Sequence, residues 1–251
     1  MKNAIEALGG EKVYKQIMTI SRTMNVPASL HIDYVCNVCC GNPEIAPDMN
    51  KGKKKNLLSV EECMKVWVEK FLHGYNERIS QRTSKMPGTV PDTAVDIIIK
   101  IGLAKLSDKQ VSEIIYAHRL GMSAENILGL LLEEFLFEKL SPAGWVMAWG
   151  ETVKHVDFCH QDGRLLQIKN RNNSENSSSS KVRDGKPIKK WFRVNANNGK
   201  YQWEKLSKIV GSSVVGLNEE EFQKFITRTL KQNPAALAIE PQSPWISFKG
   251  K

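Results

Sequence analysis

Apolar residues recur at helical spacing through most of the first 140 residues of the chain. Between residues 1 and 25 they fall roughly on one face of a helix, which predicts a helical start. Residues 26–56 contain three prolines and lack this periodicity, so an irregular segment is predicted there. Ser59, followed three residues later by Glu62, is typical of a capping box and predicts a helix that ends at about Tyr75.

A polar loop and three further helices are predicted before residue 141. The loop covers residues 76–90, and each helix begins at a side chain that can cap it. The predicted helices run from Asp92 to Ile101, from Ser107 to about Leu120 and, after the cap Ser123, from Ala124 to Leu140. The last one carries leucine, isoleucine and phenylalanine at helical spacing, so one of its faces is expected to pack against the core.

The pattern changes after residue 143, where short apolar and polar positions alternate. Strands are predicted near residues 144–149, 152–159 and 164–171, at Ile188–Val194 and at Tyr201–Trp203, and a final helix is predicted from Asn218 to about Gln232. Helices followed by a small sheet predict an α/β (α+β) fold with a mixed central sheet flanked by helices. We expect a mostly helical N-terminal region over residues 1–106 and a core over residues 107–251.

A group of polar side chains marks the predicted strands. Gln167 and Lys169 stand two residues apart on one strand, so they point to the same face. A hairpin turn through residues 160–163 lays that face beside Asp157. An acid, an amide oxygen and an ammonium group in one patch can hold a divalent cation and a water, as hydrolysis of a phosphodiester requires. The alternative is an ordinary edge strand with an exposed glutamine and lysine.

Two further groups extend this predicted site. The backbone carbonyl of Ile168 can join the side-chain oxygens of Gln167 and Asp157 as a metal ligand. Glu133 lies on the last predicted helix before the sheet, and it can reach the metal if that helix packs on the sheet. Lys169 is expected to orient or help deprotonate the attacking water and to balance the charge of the reacting phosphate.

The net charge of the chain is concentrated beside this site. The chain has 36 lysines and arginines against 27 aspartates and glutamates, a net charge of +9. The segment from Arg164 to Lys208 has 12 basic and 3 acidic residues, so it carries the whole excess. A polyanion held next to a metal site is the natural partner of such a segment, and a solvated basic loop is the alternative. The Ser-rich stretch 173–180 within it is either a linker or a loop that faces the polyanion.

Compartment and cysteine chemistry follow from simpler features. Apolar runs stay short of the roughly 18 residues of a membrane span, and the N-terminus lacks the apolar core of a signal peptide. A cytoplasmic protein is therefore expected. Five cysteines, an odd number, indicate reduced thiols. Cys36, Cys39 and Cys40 leave zinc as the weaker alternative, because a structural zinc site needs four ligands, usually in two pairs.

Glu133, Asp157 and the triplet Gln167-Ile168-Lys169 resemble the PD-(D/E)XK nuclease core in its QxK form. In that core a helix carries the Glu, one strand carries the Asp and another carries the (E/Q)xK triplet. A wider resemblance, over about residues 90–250, is to the SinI family of type II restriction endonucleases. The segments that carry it are HRLGMSAENILGLLLEEFL, GWVMAWGETVKHVDF, LLQIKNRNNSENSSSSKVRDG and KKWFRVNANNG.

The resemblance implies a PD-(D/E)XK restriction-endonuclease-like core and an Mg²⁺-dependent enzyme that cuts double-stranded DNA at a short palindrome, GGWCC in this family. It also implies a homodimer, since a palindrome presents two equivalent strands to two symmetric subunits, and a host DNA methyltransferase that protects the same site. Catalysis is then assigned to Asp157, Gln167, Lys169 and Glu133, and metal binding to Asp157, Gln167, Ile168 and Glu133. Gln167 replaces the more usual glutamate, so Glu133 has to supply the missing negative charge.

Recognition of DNA is predicted for a segment of about residues 170–205. Arginine and lysine bind guanine in the major groove, asparagine and glutamine bind adenine, and glutamate can accept a hydrogen bond from cytosine. The residues expected to contact DNA are Arg171, Asn172, Asn173, Glu175, Asn176, Lys181, Arg183, Arg193 and Asn195. Some of them are expected to bind only phosphate. Two other functions stay open at this point, a structure-specific or repair nuclease with the same core and a non-catalytic DNA-binding module.

Overall fold

The computed structural model describes residues 1–49, 58–86, 90–171 and 188–248. Within these ranges the chain forms eight α-helices and one four-stranded sheet, so the predicted α+β class is confirmed. The helices are α1 Lys2–Leu8, α2 Gly10–Thr23, α3 Ile32–Gly41, α4 Val60–Asn76, α5 Thr93–Gly102, α6 Asp108–Leu140, α7 Trp203–Val210 and α8 Glu219–Gln232. The strands are β1 Trp145–Met147, β2 Phe158–His160, β3 Leu165–Arg171 and β4 Ile188–Val194.

The described chain divides into two compact units. The first contains Met1–Glu77 and Glu133–Phe222, and the second contains Arg78–Leu132 and Gln223–Lys251. The first unit holds the whole sheet, and the second holds α5. These units are defined by packing, so they leave the predicted division between residues 106 and 107 untested. No helix within the described ranges is both long and apolar enough to cross a membrane.

The capping signals in the sequence are confirmed. In α4 the Ser59 side chain accepts a hydrogen bond from the Glu62 backbone, and the Glu62 side chain accepts one from the Ser59 backbone. Asp92 accepts from the backbone of Ala94 and so begins α5. Asn218 caps α8 by accepting from the Glu221 backbone at 2.9 Å. These contacts are local in sequence, which is why the sequence reveals them.

Three predicted elements are wrong. The segment predicted to be irregular contains α3, whose buried residues Ile32, Val35, Cys36 and Cys39 follow helical spacing between flanking prolines. The two helices predicted on either side of Ser123 are one continuous helix, α6. The strand predicted at residues 201–203 is a single bridge at Tyr201 followed by α7.

The sheet has the order β1-β2-β3-β4. Strands β1, β2 and β3 are antiparallel neighbours, and β4 is parallel to β3. The sheet is therefore mixed, as expected. Strand β2 is shorter than predicted, because residues 152–157 form a turn and a bend rather than a strand.

Aromatic side chains of the first unit anchor the end of α6 beside the sheet. The Phe135 ring lies 5.8 Å from that of Trp203 in α7, and Trp203 lies 5.1 Å from Trp191 in β4. Two residues later, on another face of α6, Phe137 contacts Trp149, with ring centroids 5.1 Å apart. All three tryptophans are at most 6% exposed. This packing fixes the helical turn that carries Glu133.

Candidate active site at the β2–β3 hairpin

The β2–β3 hairpin forms where the sequence predicts it. The His160 N–H donates to the Arg164 carbonyl at 2.9 Å, and the Gly163 N–H donates to the His160 carbonyl at 2.9 Å. Gly163 has a φ of +90°, a conformation that glycine adopts without strain. Phe158 lies opposite Leu166 in the resulting register. The turn therefore brings the end of residues 152–157 beside the middle of β3.

Asp157 is held against the backbone of β3. It immediately precedes β2, and its Oδ2 accepts a 2.6 Å hydrogen bond from the backbone N–H of Ile168. Its own N–H donates to the Leu166 carbonyl at 2.9 Å. A carboxylate oxygen tied to the backbone in this way has a fixed position. The carbonyl of Ile168 belongs to the same strand residue that binds Asp157.

Gln167 and Lys169 share one face of β3, because side chains alternate along a strand. Gln167 is only 6% exposed, and its Oε1 has no hydrogen-bond partner among the described residues. Lys169 is exposed. A buried acceptor without a partner costs free energy, about 1–3 kcal/mol, unless something absent from the isolated chain satisfies it.

Glu133 has the most perturbed carboxyl group of the site. Burial is the largest cause that raises its pKa, to about 8, and the negative charges of Asp157 and Glu151 raise it further. The positive charge of Lys169 acts in the opposite direction. One carboxyl group on α6 thus senses the charges of both Asp157 and Lys169, which places all three in one neighbourhood. The condition that the helix carrying Glu133 packs near the sheet is met.

The turn before Asp157 is pinned to the N-terminal helices by two glycines. Gly150 has a φ of +70°, and a Cβ atom there would lie 2.0 Å from the carbonyl oxygen of Lys70 in α4. A Cβ atom on Gly74 would lie 2.4 Å from the Gly150 nitrogen. Two residues after Gly150, the carbonyl of Thr152 accepts a 2.9 Å hydrogen bond from the Trp67 indole. The N-terminal helices therefore position the segment that leads into the site.

Glu151 is the residue that sequence reasoning missed. It follows Gly150 and has a φ of +56°, an uncommon conformation for a residue other than glycine. The negative charge of Glu151 acts on Glu133 and raises the pKa of its carboxyl group. No periodicity or motif in the sequence marks it, because its position depends on the contact between Gly150 and α4.

The donor set fits a hard divalent cation. It consists of the Asp157 and Glu133 carboxylates, the buried Gln167 oxygen and the Ile168 carbonyl, and magnesium prefers such oxygen ligands. The described residues contain no group of three His, Cys, Asp or Glu side chains arranged to hold a metal, so the carboxamide and the carbonyl are needed to complete the set. The unpartnered Gln167 Oε1 is the observation that favours a bound cation.

The predicted DNA-contacting residues fall into three groups. Asn172, Asn173, Glu175, Asn176, Lys181 and Arg183 lie outside the described residues. Arg171 is exposed at the end of β3, opposite Val194. Asn195 is half-buried, and its side chain accepts from the Asn197 backbone at 2.9 Å, so it stabilises the turn after β4.

Arg193 is placed inside the fold rather than at its surface. It is 6% exposed, and its Nη1 donates to Glu219 Oε1 at 2.6 Å while its Nε donates to Asn170 Oδ1 at 2.9 Å. The guanidinium also lies over the Phe222 ring, 5.1 Å from its centroid. The structure therefore does not bring Arg193 to the other predicted contacts, and its hydrogen bonds fix β4 to α8.

The histidine and cysteine side chains near the sheet have structural partners. His160 contacts the Ala143 carbonyl at 3.1 Å and Asp162 at 2.8 Å, so it stabilises the hairpin turn.

Burial raises the pKa of the Cys159 thiol to about 12, with the Asp157 charge as a second cause. All five cysteines are free thiols. Cys36 and Cys40 lie one helical turn apart, with their Sγ atoms 3.8 Å from each other.

Comparison with known proteins places this site in a family. A sequence model of the SinI restriction endonuclease family matches residues 15–232. The type II restriction enzyme SinI of Salmonella infantis is 38% identical over 198 residues, which cover 77% of this chain and 80% of that enzyme. The type II restriction enzyme Eco47I of Escherichia coli is 40% identical over 193 residues, which cover 75% of this chain and 81% of that enzyme.

The protein is a restriction endonuclease, a hydrolase, as the sequence predicts. More particularly, the chain belongs to the SinI restriction endonuclease family.

Proposed function

We propose that this protein is an Mg²⁺-dependent type II endonuclease that hydrolyses both strands of double-stranded DNA at a short palindrome, GGWCC. The observation that carries the chemical part of the proposal is the buried, unpartnered Gln167 oxygen on β3. The same strand carries Lys169 and binds Asp157 through the backbone N–H of Ile168. The sequence of the target site rests on family membership alone. The arrangement corresponds to a PD-(D/E)XK core in its QxK form.

Each side chain of the site has a distinct role in this proposal. Asp157, Gln167, Glu133 and the Ile168 carbonyl hold the cation, which supplies charge stabilisation for the reacting phosphate and lowers the pKa of a bound water. Lys169, exposed on the strand, orients the attacking water and balances negative charge on the phosphate. Burial is the main cause that raises the pKa of Glu133, and the nearby carboxylate of Asp157 raises it further.

A basic surface near β4 is proposed to bind the DNA backbone. Asn198, Lys200, Tyr201 and Lys205 line a groove of about 580 Å³ that follows β4 in the chain. Tyr201 is 51% exposed, and both lysines are exposed. Exposed cations and amides of this kind bind phosphate without reading sequence. Base reading is assigned to Arg171 and to the predicted residues between 172 and 183, and Arg193 is assigned a supporting role.

The biological setting follows from the proposed activity. Two copies are proposed to act together on the two equivalent strands of the palindrome. A DNA methyltransferase of the same specificity is proposed to protect the host genome, and the enzyme is proposed to act in the cytoplasm, where that DNA lies.

A plasmid digest tests the proposal. Purified enzyme with magnesium is expected to give discrete bands whose sequenced ends share one short palindrome, and no bands with EDTA. Cleavage confined to branched substrates would favour a structure-specific nuclease instead, and binding without cleavage would favour a non-catalytic module.

Variants of the site test the assigned roles. Asp157→Ala and Lys169→Ala are expected to lose cleavage by more than about 10³-fold while still binding DNA. Lys65→Ala, an exposed lysine of α4, is the matched control and is expected to cleave normally. Normal turnover in either site variant would refute the role given to that residue.

A further inference from the structure

Helix α5 presents an apolar surface to solvent. None of its ten residues is buried. On the helix, Val95 is 43% exposed, Ile97 59%, Ile98 68% and Ile101 75%. Val90 before the helix is 88% exposed, and Leu103 after it is 55% exposed. These six residues are called the α5 patch below.

The patch is uniform in chemistry. At about 100° per residue, the four aliphatic residues of the helix fall within an arc of about 160°. Gly102 lies inside the same arc, and a Cβ atom there would meet open space, so another backbone can approach closely. The charged residues Asp96 and Lys100 lie outside the arc. The face therefore excludes a charged partner and suits another aliphatic surface.

The size of the patch is at the upper end of what a soluble monomer usually exposes. Its six side chains expose on the order of 600 Å², and the largest apolar patch of a typical monomer is about 300–600 Å². A standard protein–protein interface buries about 800 Å² on each partner. The second unit also exposes Ile114 by 40% and Met122 by 51% on α6. The area suits a protein interface.

Several other occupants are disfavoured. The residues outside the described ranges contain only Leu57 and Val182 as large aliphatic side chains, so they offer no apolar strip to cover the patch. DNA is a polyanion, and the arc carries no cation. A helix that binds an anionic membrane surface usually has lysine and arginine on its polar face, whereas α5 has one aspartate and one lysine there.

We propose that the α5 patch is the surface through which two copies of this chain pair about a twofold axis. An aliphatic helix face is complementary to itself, so the same residues can serve both sides of a twofold interface. The choice of a second copy as the occupant rests on the proposed function, because a palindromic target requires two equivalent subunits. The location of the interface rests on the exposure of α5 alone.

The first experiment measures mass in solution without DNA or metal, so it does not depend on cleavage. Size-exclusion chromatography with light scattering is expected to give twice 28.3 kDa for the full chain and 28.3 kDa for Ile98→Asp. Thr93→Asp adds the same charge outside the arc, about 120° from its centre, and is expected to remain a dimer. Ile101→Lys is a second variant of the patch, and circular dichroism checks that each variant is folded.

A second experiment places the twofold axis. Ile98→Cys is expected to form a disulfide-linked dimer under mild oxidation, and Thr93→Cys is not. The proposal would be overturned if the wild type were monomeric, if Ile98→Asp and Ile101→Lys were dimeric, or if Thr93→Asp were monomeric. Capture of the wild type by anionic vesicles would also overturn it. A dimer that fails to cut any plasmid would refute the proposed function and leave the pairing intact. A monomer that cuts plasmid would refute the pairing and leave the proposed cleavage intact.

Discussion

The sheet of the first unit and helix α5 of the second depart from the usual distribution of side chains in opposite directions. In β3 a polar side chain, Gln167, is buried without a partner for its oxygen. In α5 the aliphatic side chains of Ile98 and Ile101 are exposed by 68% and 75%. Folded chains normally bury apolar groups and pair their buried polar groups. We propose that each departure marks a binding surface, for a cation in one case and for an apolar protein surface in the other.

The two departures also differ in their energetic weight. A buried unpartnered acceptor costs about 1–3 kcal/mol in the protein alone. Exposed aliphatic side chains cost the monomer little, and they matter through association. Substitutions should therefore separate the two regions: polar changes in the sheet alter chemistry and stability, and polar changes in α5 alter assembly.

Gln167→Leu is expected to have the largest effect. Loss of the buried oxygen should slow cleavage by about 10³-fold, or roughly 4 kcal/mol of barrier, because one cation ligand is gone. The same change should stabilise the EDTA-treated protein by about 1 kcal/mol, because the unpartnered acceptor is removed. Cleavage rates, magnesium titration calorimetry and urea denaturation measure these effects. Normal magnesium affinity in this variant would exclude Gln167 as a ligand.

Gly150→Ala tests the support behind the site. It is expected to lower the free energy of unfolding by about 3 kcal/mol, since a Cβ atom 2.0 Å from the Lys70 carbonyl forces the backbones apart. Gly163→Ala is the matched control, because Gly163 also has a positive φ but no atom near its Cβ position. It should lose only about 1 kcal/mol. Equal losses, measured by chemical denaturation, would refute the tight contact with α4.

Glu133→Gln should change the pH dependence of stability. The folded pKa of Glu133, about 8, lies above its ordinary value of 4.5. The contribution of Glu133 to stability is therefore full below pH 4.5 and is lost as the pH rises from 4.5 through 8, because the folded state has to ionise a buried carboxyl group. In EDTA the variant should be more stable than wild type by about 2 kcal/mol at pH 9 and indistinguishable from it near pH 4.5. Glu138→Gln, on an exposed position of the same helix, should show no such trend.

Ile101→Gln is expected to have the smallest effect on stability. In dilute monomeric protein it should change the free energy of unfolding by less than about 0.5 kcal/mol, because the side chain is exposed. At higher concentration it should shift the protein toward the monomer in sedimentation experiments. A large loss of monomer stability would show that α5 packs within its own chain.

The parts of the fold that the sequence predicts depend on nearby residues. The capping box at Ser59 and Glu62, the hairpin turn before Arg164 and the strand that carries Gln167 all result from contacts within a few positions. The failures have the opposite cause. Helix α3 was hidden by flanking prolines and a cysteine cluster, and α6 continues through Gly121 because its helical hydrogen bonds outweigh the cost of one glycine.

The candidate site shows the same limit. Strand spacing predicts that Asp157 and Lys169 share one patch, and in the structure the charges of both act on the Glu133 carboxyl group. The partners of Arg193 lie 23 and 26 positions away in the sequence, so no local pattern could show that its guanidinium is buried. Glu151 approaches the site only through the contact of Gly150 with α4. Such positions depend on tertiary packing, which a single sequence does not display.

The parallel pairing of β3 and β4 has a consequence for how target preference can evolve. The chain leaves β3 at Arg171, opposite Val194, and enters β4 at Ile188, opposite Leu165. Both attachment points lie on hydrogen-bonded strands, and β3 also carries Lys169, the lysine proposed to orient the attacking water. Exchanging residues 172–187 between relatives is therefore expected to transfer the proposed DNA preference while leaving β3 unchanged.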